Sequence, residues 1–184
     1  MSNKNTKLTY GFTLVELMIS IAVFSSVMVA SMGSIFVMLN SNRKSEAVRT
    51  ILDNMSYTMD DMVRAIRFGS IYHCGSSFPL NIPNNCNSGD TTLTFVDSSG
   101  TQITYKLVSG QIVRTIGGVD YFLTSGDANI QSLTFFVLGA TTYVNGDFNQ
   151  PKVIIVIKGM AGVNTISQTH FLLETTVSQR KLDL

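Results

Sequence analysis

Residues 11–42 form a long apolar run with the sequence GFTLVELMISIAVFSSVMVASMGSIFVMLNSN. No charged residue lies between Glu16 and Arg43. The apolar part of the run exceeds the roughly 20 residues that a membrane-spanning helix needs. Two lysines and the terminal amine precede it, and positive charge before an apolar run is typical of the cytoplasmic side. The sequence therefore predicts one membrane-spanning helix.

The overall composition excludes three classes of protein. The 184 residues are 45% hydrophobic and 14% charged, with a net charge of +1. Intrinsic disorder is excluded because it needs low hydrophobicity and high net charge. A strongly basic nucleic-acid-binding protein is excluded by the balanced charge. A multi-span membrane protein is excluded because the long apolar segment is single.

Three interpretations compete for the apolar run. A secretory signal peptide has a shorter apolar core, of about 7–15 residues, before a small-residue cleavage site such as Ala30-Ser31 would provide. A plain membrane anchor needs only the apolar length. The third interpretation is a membrane helix that binds a partner through Glu16. It accounts for this residue, because a carboxylate in an apolar helix is costly and usually has a partner.

The residues around Glu16 resemble the leader junction of a known family. The segment Gly11-Phe12-Thr13-Leu14-Val15-Glu16-Leu17-Met18-Ile19-Ser20 is similar to the prepilin junction of type IV pilins and type II secretion pseudopilins. The resemblance implies a leader of residues 1–11, cleavage between Gly11 and Phe12 by a prepilin peptidase, and N-methylation of Phe12. Glu16 would then pair with the amine of a neighbouring subunit, and we expect this pair to set subunit register more than stability.

After Asn42 apolar residues continue at helical spacing, which predicts that the helix continues. The stripe consists of Val48, Ile51, Leu52, Met55, Met59, Met62, Val63 and Ile66. One helix from about Thr13 to about Phe68 is predicted, with Gly69 ending it. Residues 12–42 would be its membrane or filament-core half and 43–67 its amphipathic half, which must cover a sheet or form a coiled coil.

The remainder, residues 68–184, is predicted to be a β-rich domain. Its candidate strands alternate with turn signals such as Ser109-Gly110 and Gly117-Gly118. They are Leu93–Val96, Ile103–Val108, Ile112–Ile116, Tyr121–Leu123, Gln131–Leu138, Lys152–Ile157 and His170–Val177. The predicted fold class is α+β and pilin-like, with one long N-terminal helix packed on a mainly antiparallel β-sheet.

Short patterns in this half are similar to W-type minor pilins and J-type minor pseudopilins. They are Ile103–Leu107 with Ile112–Arg114, Leu133–Phe135, Thr176–Leu182 and Met62–Arg67. This resemblance implies a subunit present in few copies near the filament tip, where it helps to start assembly.

The two cysteines, Cys74 and Cys86, lie in a predicted loop. If this region is outside the cytoplasm, a disulfide between them is expected, because that compartment is oxidising. Two unpaired thiols are the alternative. A second alternative is a zinc site in which the two cysteines are joined by His73 and His170, although the paired Cys-x-x-Cys spacing of typical zinc sites is absent.

Asn145, Asp147 and Asn149 alternate like the first ligands of a calcium loop. The same residues also suit a simple hairpin turn, and Val156 stands where a helix-loop-helix calcium loop needs glutamate. No phosphate-binding loop, nucleophile elbow or His-Glu-x-x-His motif occurs in the sequence. We expect no metal, no cofactor, no enzymatic activity and no direct contact with nucleic acid.

The sequence thus predicts a minor structural subunit of a type IV pilus that promotes filament assembly. The alternatives are a minor pseudopilin of a type II secretion system and a pilin-like surface binding module, such as an adhesin or a DNA-uptake receptor. The resemblance implies as partners a prepilin peptidase, other pilin or pseudopilin subunits, and an inner-membrane assembly platform with its ATPase. The chain would be a single-pass protein in membrane lipid before assembly, with its C-terminal domain outside the cytoplasm.

Overall fold

The computed structural model describes residues 11–77, 79–126, 128–141, 149–161 and 169–180. The chain divides into two compact units, Met1–Arg43 and Lys44–Leu184. Helix α1 (Leu14–Arg67) begins in the first unit and ends in the second. The second unit also contains all the β-strands among the described residues.

The strands form two antiparallel sheets. Their bounds are β1 Ser70–Cys74, β2 Cys86–Asp90, β3 Leu93–Val96, β4 Gln102–Val108, β5 Gln111–Ile116, β6 Val119–Phe122, β7 Ala128–Leu138, β8 Lys152–Ala161 and β9 Thr169–Ser178. Sheet A has the order β1-β3-β4-β5-β6, and sheet B has the order β2-β7-β8-β9. The α+β fold class predicted from the sequence is confirmed.

Within the second unit, one face of α1 is buried in the core. Its buried apolar residues follow the predicted helical stripe and are Ile51, Met55, Met59, Met62 and Ile66. They belong to one cluster with Phe95 and Tyr105 of sheet A and with Leu133 and Phe135 of sheet B. Leu52 departs from the prediction because it lies at the edge of the stripe, where 37% of its surface is exposed.

The end of α1 is fixed by three hydrogen bonds to its last carbonyls. The Gly69 N–H and the Tyr72 hydroxyl both donate to the Ile66 carbonyl, at 3.0 and 2.7 Å. The Arg180 N–H donates to the Arg67 carbonyl at 2.9 Å. Helix ends leave such carbonyls without intrahelical partners, so these bonds stop the helix where Gly69 predicts.

Two of the hairpins turn at the positions that the sequence predicts. Ser109 and Gly110 have φ values of 50° and 76° between β4 and β5, and Gly117 and Gly118 have values of 57° and 84° between β5 and β6. A type I′ two-residue hairpin turn needs positive φ at both central positions, which favours glycine there. These turns set the register of sheet A, with Ile103 facing Ile116.

The single predicted sheet is wrong, because the strands divide between sheets A and B. Two strands, β1 and β2, were not predicted. The residues of β2 read CNSGD, which is polar and contains glycine, so local β-propensity does not indicate a strand. The two cysteines consequently lie at the ends of strands rather than inside a loop.

Candidate functional site at the start of helix α1

The first turn of α1 is capped by a threonine. The Glu16 N–H donates to the Thr13 hydroxyl oxygen at 3.3 Å, and the Leu17 N–H donates to the Thr13 carbonyl at 3.2 Å. The spacing Thr-x-x-Glu is that of a capping box, and an N-cap contributes about 1 kcal/mol to helix stability. Thr13 and Glu16 therefore also fix where the helix begins.

The peptide bond between Gly11 and Phe12 lies outside the helix. Both residues are exposed and have no regular secondary structure, and 79% of the Phe12 surface is accessible. A protease needs a substrate backbone that it can reach and that is not held in a helix. The geometry of this bond is therefore suited to cleavage, the role predicted for Gly11 and Phe12.

Glu16 lies in the first turn with an exposed side chain. Its position is favourable because the N-terminal end of a helix carries partial positive charge. Among the described residues Glu16 has no ion-pair partner. Its predicted pairing with the amine of a neighbouring subunit stays a prediction.

No other described residue of its own unit covers the apolar half of α1. Its large side chains are all exposed, among them Leu14 at 75%, Val29 at 72% and Val37 at 71%. By length and composition, the helix can cross a membrane. Such a surface is stable only in lipid or against other apolar helices.

Serine hydroxyls in this half donate hydrogen bonds to carbonyls of the helix itself. The hydroxyl of Ser20 donates to the Glu16 carbonyl at 2.7 Å, and that of Ser31 donates to the Val27 carbonyl at 2.8 Å. Hydroxyls bonded in this way need no water, so they do not oppose burial in lipid. The helix continues through Gly33. A Cβ added to this glycine would have no described neighbour within 4 Å outside the helix backbone.

The predicted disulfide is confirmed. Cys74 and Cys86 are bonded, with their Cα atoms 5.8 Å apart. Because Cys74 ends β1 and Cys86 begins β2, the bond joins sheet A to sheet B. The zinc alternative is wrong, since neither cysteine has a free thiolate.

Among the described residues, the His73 ring contacts the backbone of the segment that follows β1. Its Nδ1 lies 2.7 Å from the Ile82 carbonyl, to which it donates when protonated there. His170 is exposed on β9. No group of three His, Cys, Asp or Glu side chains in the described ranges could hold a metal ion.

The calcium candidates receive no test from the structure. Asn145 and Asp147 lie outside the described residues. Asn149 is described, and its carbonyl lies 3.0 Å from the position that a Cβ on Gly139 would take.

A polar cluster between α1 and sheet A was missed by the sequence analysis. Arg114 donates to the Asp61 carboxylate at 3.1 Å. Burial raises the pKa of the neighbouring Tyr105 to about 12, and the Asp61 carboxylate adds to this shift while Arg114 opposes it. The available signal was Arg114 itself, because it alternates with the core residues Ile112 and Ile116.

A groove with basic side chains lies at the end of α1. It has a volume of about 570 Å³ and is lined by Asp60, Val63, Arg64, Arg67, Phe68 and Arg180. The Arg180 guanidinium lies 5.5 Å from the centre of the Phe68 ring. None of the described residues that line it is a nucleophile paired with a general base.

Comparison with known proteins places a family motif on this helix start. Residues 7–32 match the family described as the prokaryotic N-terminal methylation motif. No curated protein and no solved structure matches the chain. The matched signal implies processing by a prepilin peptidase and assembly with other pilin subunits, and with the apolar helix it fits a single-pass membrane-anchored protein. The chain therefore carries the N-terminal signal of type IV pilins and pseudopilins, on a long helix that packs against antiparallel β-sheets.

Proposed function

We propose that the protein is a minor structural subunit of a type IV pilus, processed by prepilin peptidase, that promotes filament assembly. Its action is mechanical: the apolar half of α1 first lies in membrane lipid and then packs among the helices of neighbouring subunits. An assembly platform with its ATPase would drive that transfer. We expect no catalytic activity.

The observation that carries this proposal is the contrast between the two units. The described residues up to Arg43 are exposed, whereas the unit that follows has its own core with buried Met55, Phe95 and Phe135. A folded unit that is complete without the apolar helix leaves that helix free for other partners. This arrangement suits a subunit that exchanges lipid for protein contacts.

The disulfide supports an extracytoplasmic position for the second unit. Structural disulfides persist in oxidising compartments and are rare in the cytoplasm. Because the Cys74–Cys86 bond joins the two sheets, its reduction would loosen the core rather than a single loop. We infer an orientation with the N-terminus in the cytoplasm and the second unit outside it.

Glu16 provides the experiment that tests assembly. We expect Glu16→Ala to be processed but to disappear from sheared filaments, since its carboxylate has no partner within the described chain and would lose its pairing with a neighbour. Glu46→Ala, which removes another exposed acid of α1, is the matched control and should be incorporated normally. Equal amounts of both variants in filaments would contradict the proposal.

The alternatives give different outcomes in the same strains. If the protein is a minor pseudopilin, deleting its gene should abolish type II secretion and leave the pili in place. A surface binding module would keep its ligand binding in Glu16→Ala, because it would use the signal only for placement. Loss of pili with normal secretion is the result that we expect for deletion.

A further inference from the structure

One edge of sheet A is formed by β6, which is short and mostly apolar. It pairs only with β5 among the described strands. All four of its residues are exposed, including Val119 at 55%, Tyr121 at 49% and Phe122 at 59%. Apolar side chains are rarely left on a strand edge, because a free edge is a template for another strand.

The hydrogen-bond register identifies the backbone groups that β6 leaves free. The Leu123 N–H donates to the Ile112 carbonyl at 2.9 Å, and Tyr121 faces Arg114 in the next pair along. Residues of an antiparallel strand alternate between bonding inward and pointing outward. Val119 and Tyr121 therefore bond to β5, while Asp120 and Phe122 direct their N–H and C=O groups away from the sheet.

Strand edges are usually protected from pairing by charged side chains, but on β6 the one such charge is neutralised by an ion pair. Asp120 is the charged residue of this strand, but its carboxylate lies 3.0 Å from the Lys106 ammonium and also accepts a hydrogen bond from Thr115. By contrast β9, an edge of sheet B, exposes the charged Glu174. Charged side chains on an edge discourage pairing, so β6 is the less protected of these two edges.

We propose that β6 pairs with β6 of a second copy of this chain, antiparallel about a twofold axis at Tyr121. In this register Asp120 of each copy faces Phe122 of the other, and each such pair exchanges both N–H···O bonds. The tyrosines face each other across the axis, and no carboxylate faces a carboxylate. β6 is therefore complementary to itself in backbone pattern and in charge.

A twofold contact of this kind is closed and does not propagate. A pairing of two four-residue strands is small compared with stable interfaces, which bury at least about 1,200 Å². The contact is therefore reversible in solution and is favoured when both copies are held in one membrane, where their effective concentration is high. It does not depend on filament membership.

Cysteine crosslinking in membranes tests the register directly. The two native cysteines are bonded to each other, so Tyr121→Cys carries one free thiol. Residues facing each other in a non-hydrogen-bonded pair have Cα atoms about 4.5 Å apart, within disulfide range. Mild oxidation with copper phenanthroline should link two copies of Tyr121→Cys at least ten times faster than two copies of Val119→Cys.

Val119→Cys is the matched control because it lies on the same strand with similar exposure. In the proposed register each Val119 faces Leu123 of the other copy, which leaves two cysteines at this position roughly 14 Å apart. Equal rates for the two variants would overturn the proposal, as would absence of a dimer. Crosslinking of Tyr121→Cys mainly to a different protein would also overturn it.

A second pair of variants, made in the Tyr121→Cys background, isolates the backbone edge. Asp120→Ala and Asp120→Pro both remove the carboxylate, but only proline removes the outward N–H. Both lose the side-chain bond to Thr115 alike, but neither removes a backbone bond to β5, and edge strands tolerate proline. We expect Asp120→Pro to slow crosslinking at least fivefold and Asp120→Ala to leave the crosslinking rate unchanged, while the two variants share the same melting temperature. Equal effects of the two would contradict pairing through the backbone.

Discussion

Removal of the Cys74–Cys86 disulfide should destabilise the second unit by about 3 kcal/mol. The bond closes a loop with a sequence separation of 12, and a loop of that length loses about 10 cal/mol/K of unfolded-state entropy. The effect should extend beyond the loop because the bond connects β1 of sheet A to β2 of sheet B. Both sheets contribute residues to the same core.

The assay is urea unfolding of the full chain in detergent, with and without dithiothreitol. The chain contains no tryptophan, so near-ultraviolet circular dichroism of the buried Tyr72 and Tyr105 is the signal. Reduction should lower the midpoint by roughly 1–3 M urea. The variant Cys74→Ala with Cys86→Ala should already unfold at the lower midpoint and should not respond to reductant. An unchanged midpoint on reducing the wild-type protein would refute the reasoning.

Four further substitutions test the packing and the turns. Met62→Ala empties a fully buried position and should cost about 2–5 kcal/mol in urea unfolding, whereas Leu52→Ala at the edge of the same helix face should cost much less. Gly69→Ala would place its Cβ 2.5 Å from the ring of buried Phe95, so overpacking of about 1–3 kcal/mol is expected in the same assay. The pKa of Asp97 is lowered, mainly by its hydrogen bond from the Ser99 side chain. The stability difference between wild type and Asp97→Asn should therefore be full above the ordinary pKa of 3.8 and should shrink as the pH falls through the lowered value. A difference that grew in acid would contradict this.

The elements that local pattern determines were predictable from the sequence. Helix α1 follows from an unbroken apolar run and then a helical stripe. It ends before Gly69, whose N–H donates to the Ile66 carbonyl. β3 was predicted with its full bounds, and the Ser109-Gly110 turn follows from the positive φ that a two-residue hairpin needs.

The elements that long-range contacts determine were not predictable. β2 has weak β-propensity and forms because Cys86 pairs with Val137 of β7 and is bonded to Cys74. The division into two sheets likewise depends on which distant strands meet, which alternation alone does not specify. The ion pair of Asp61 and Arg114 joins residues that are 53 positions apart.

The candidate site divides in the same way. Gly11, Phe12 and Glu16 are given by a contiguous motif, and the match to residues 7–32 supports that identification of the motif. The motif's overlap with a helix cap became visible only in the structure, where Thr13 accepts the Glu16 N–H. What Glu16 pairs with depends on a neighbouring chain, so one sequence cannot determine it.

The mass of the N-terminal peptide, isolated from the membranes of producing cells, tests the central claim most directly. Processing as a type IV filament subunit predicts a peptide that starts at Phe12 and carries one methyl group on its amine. The Gly11→Leu variant should retain residues 1–11 and remain in the membrane. A wild-type chain that starts at Met1 or Ser2 in a host with an active prepilin peptidase would contradict the account, and so would a start near Ser31.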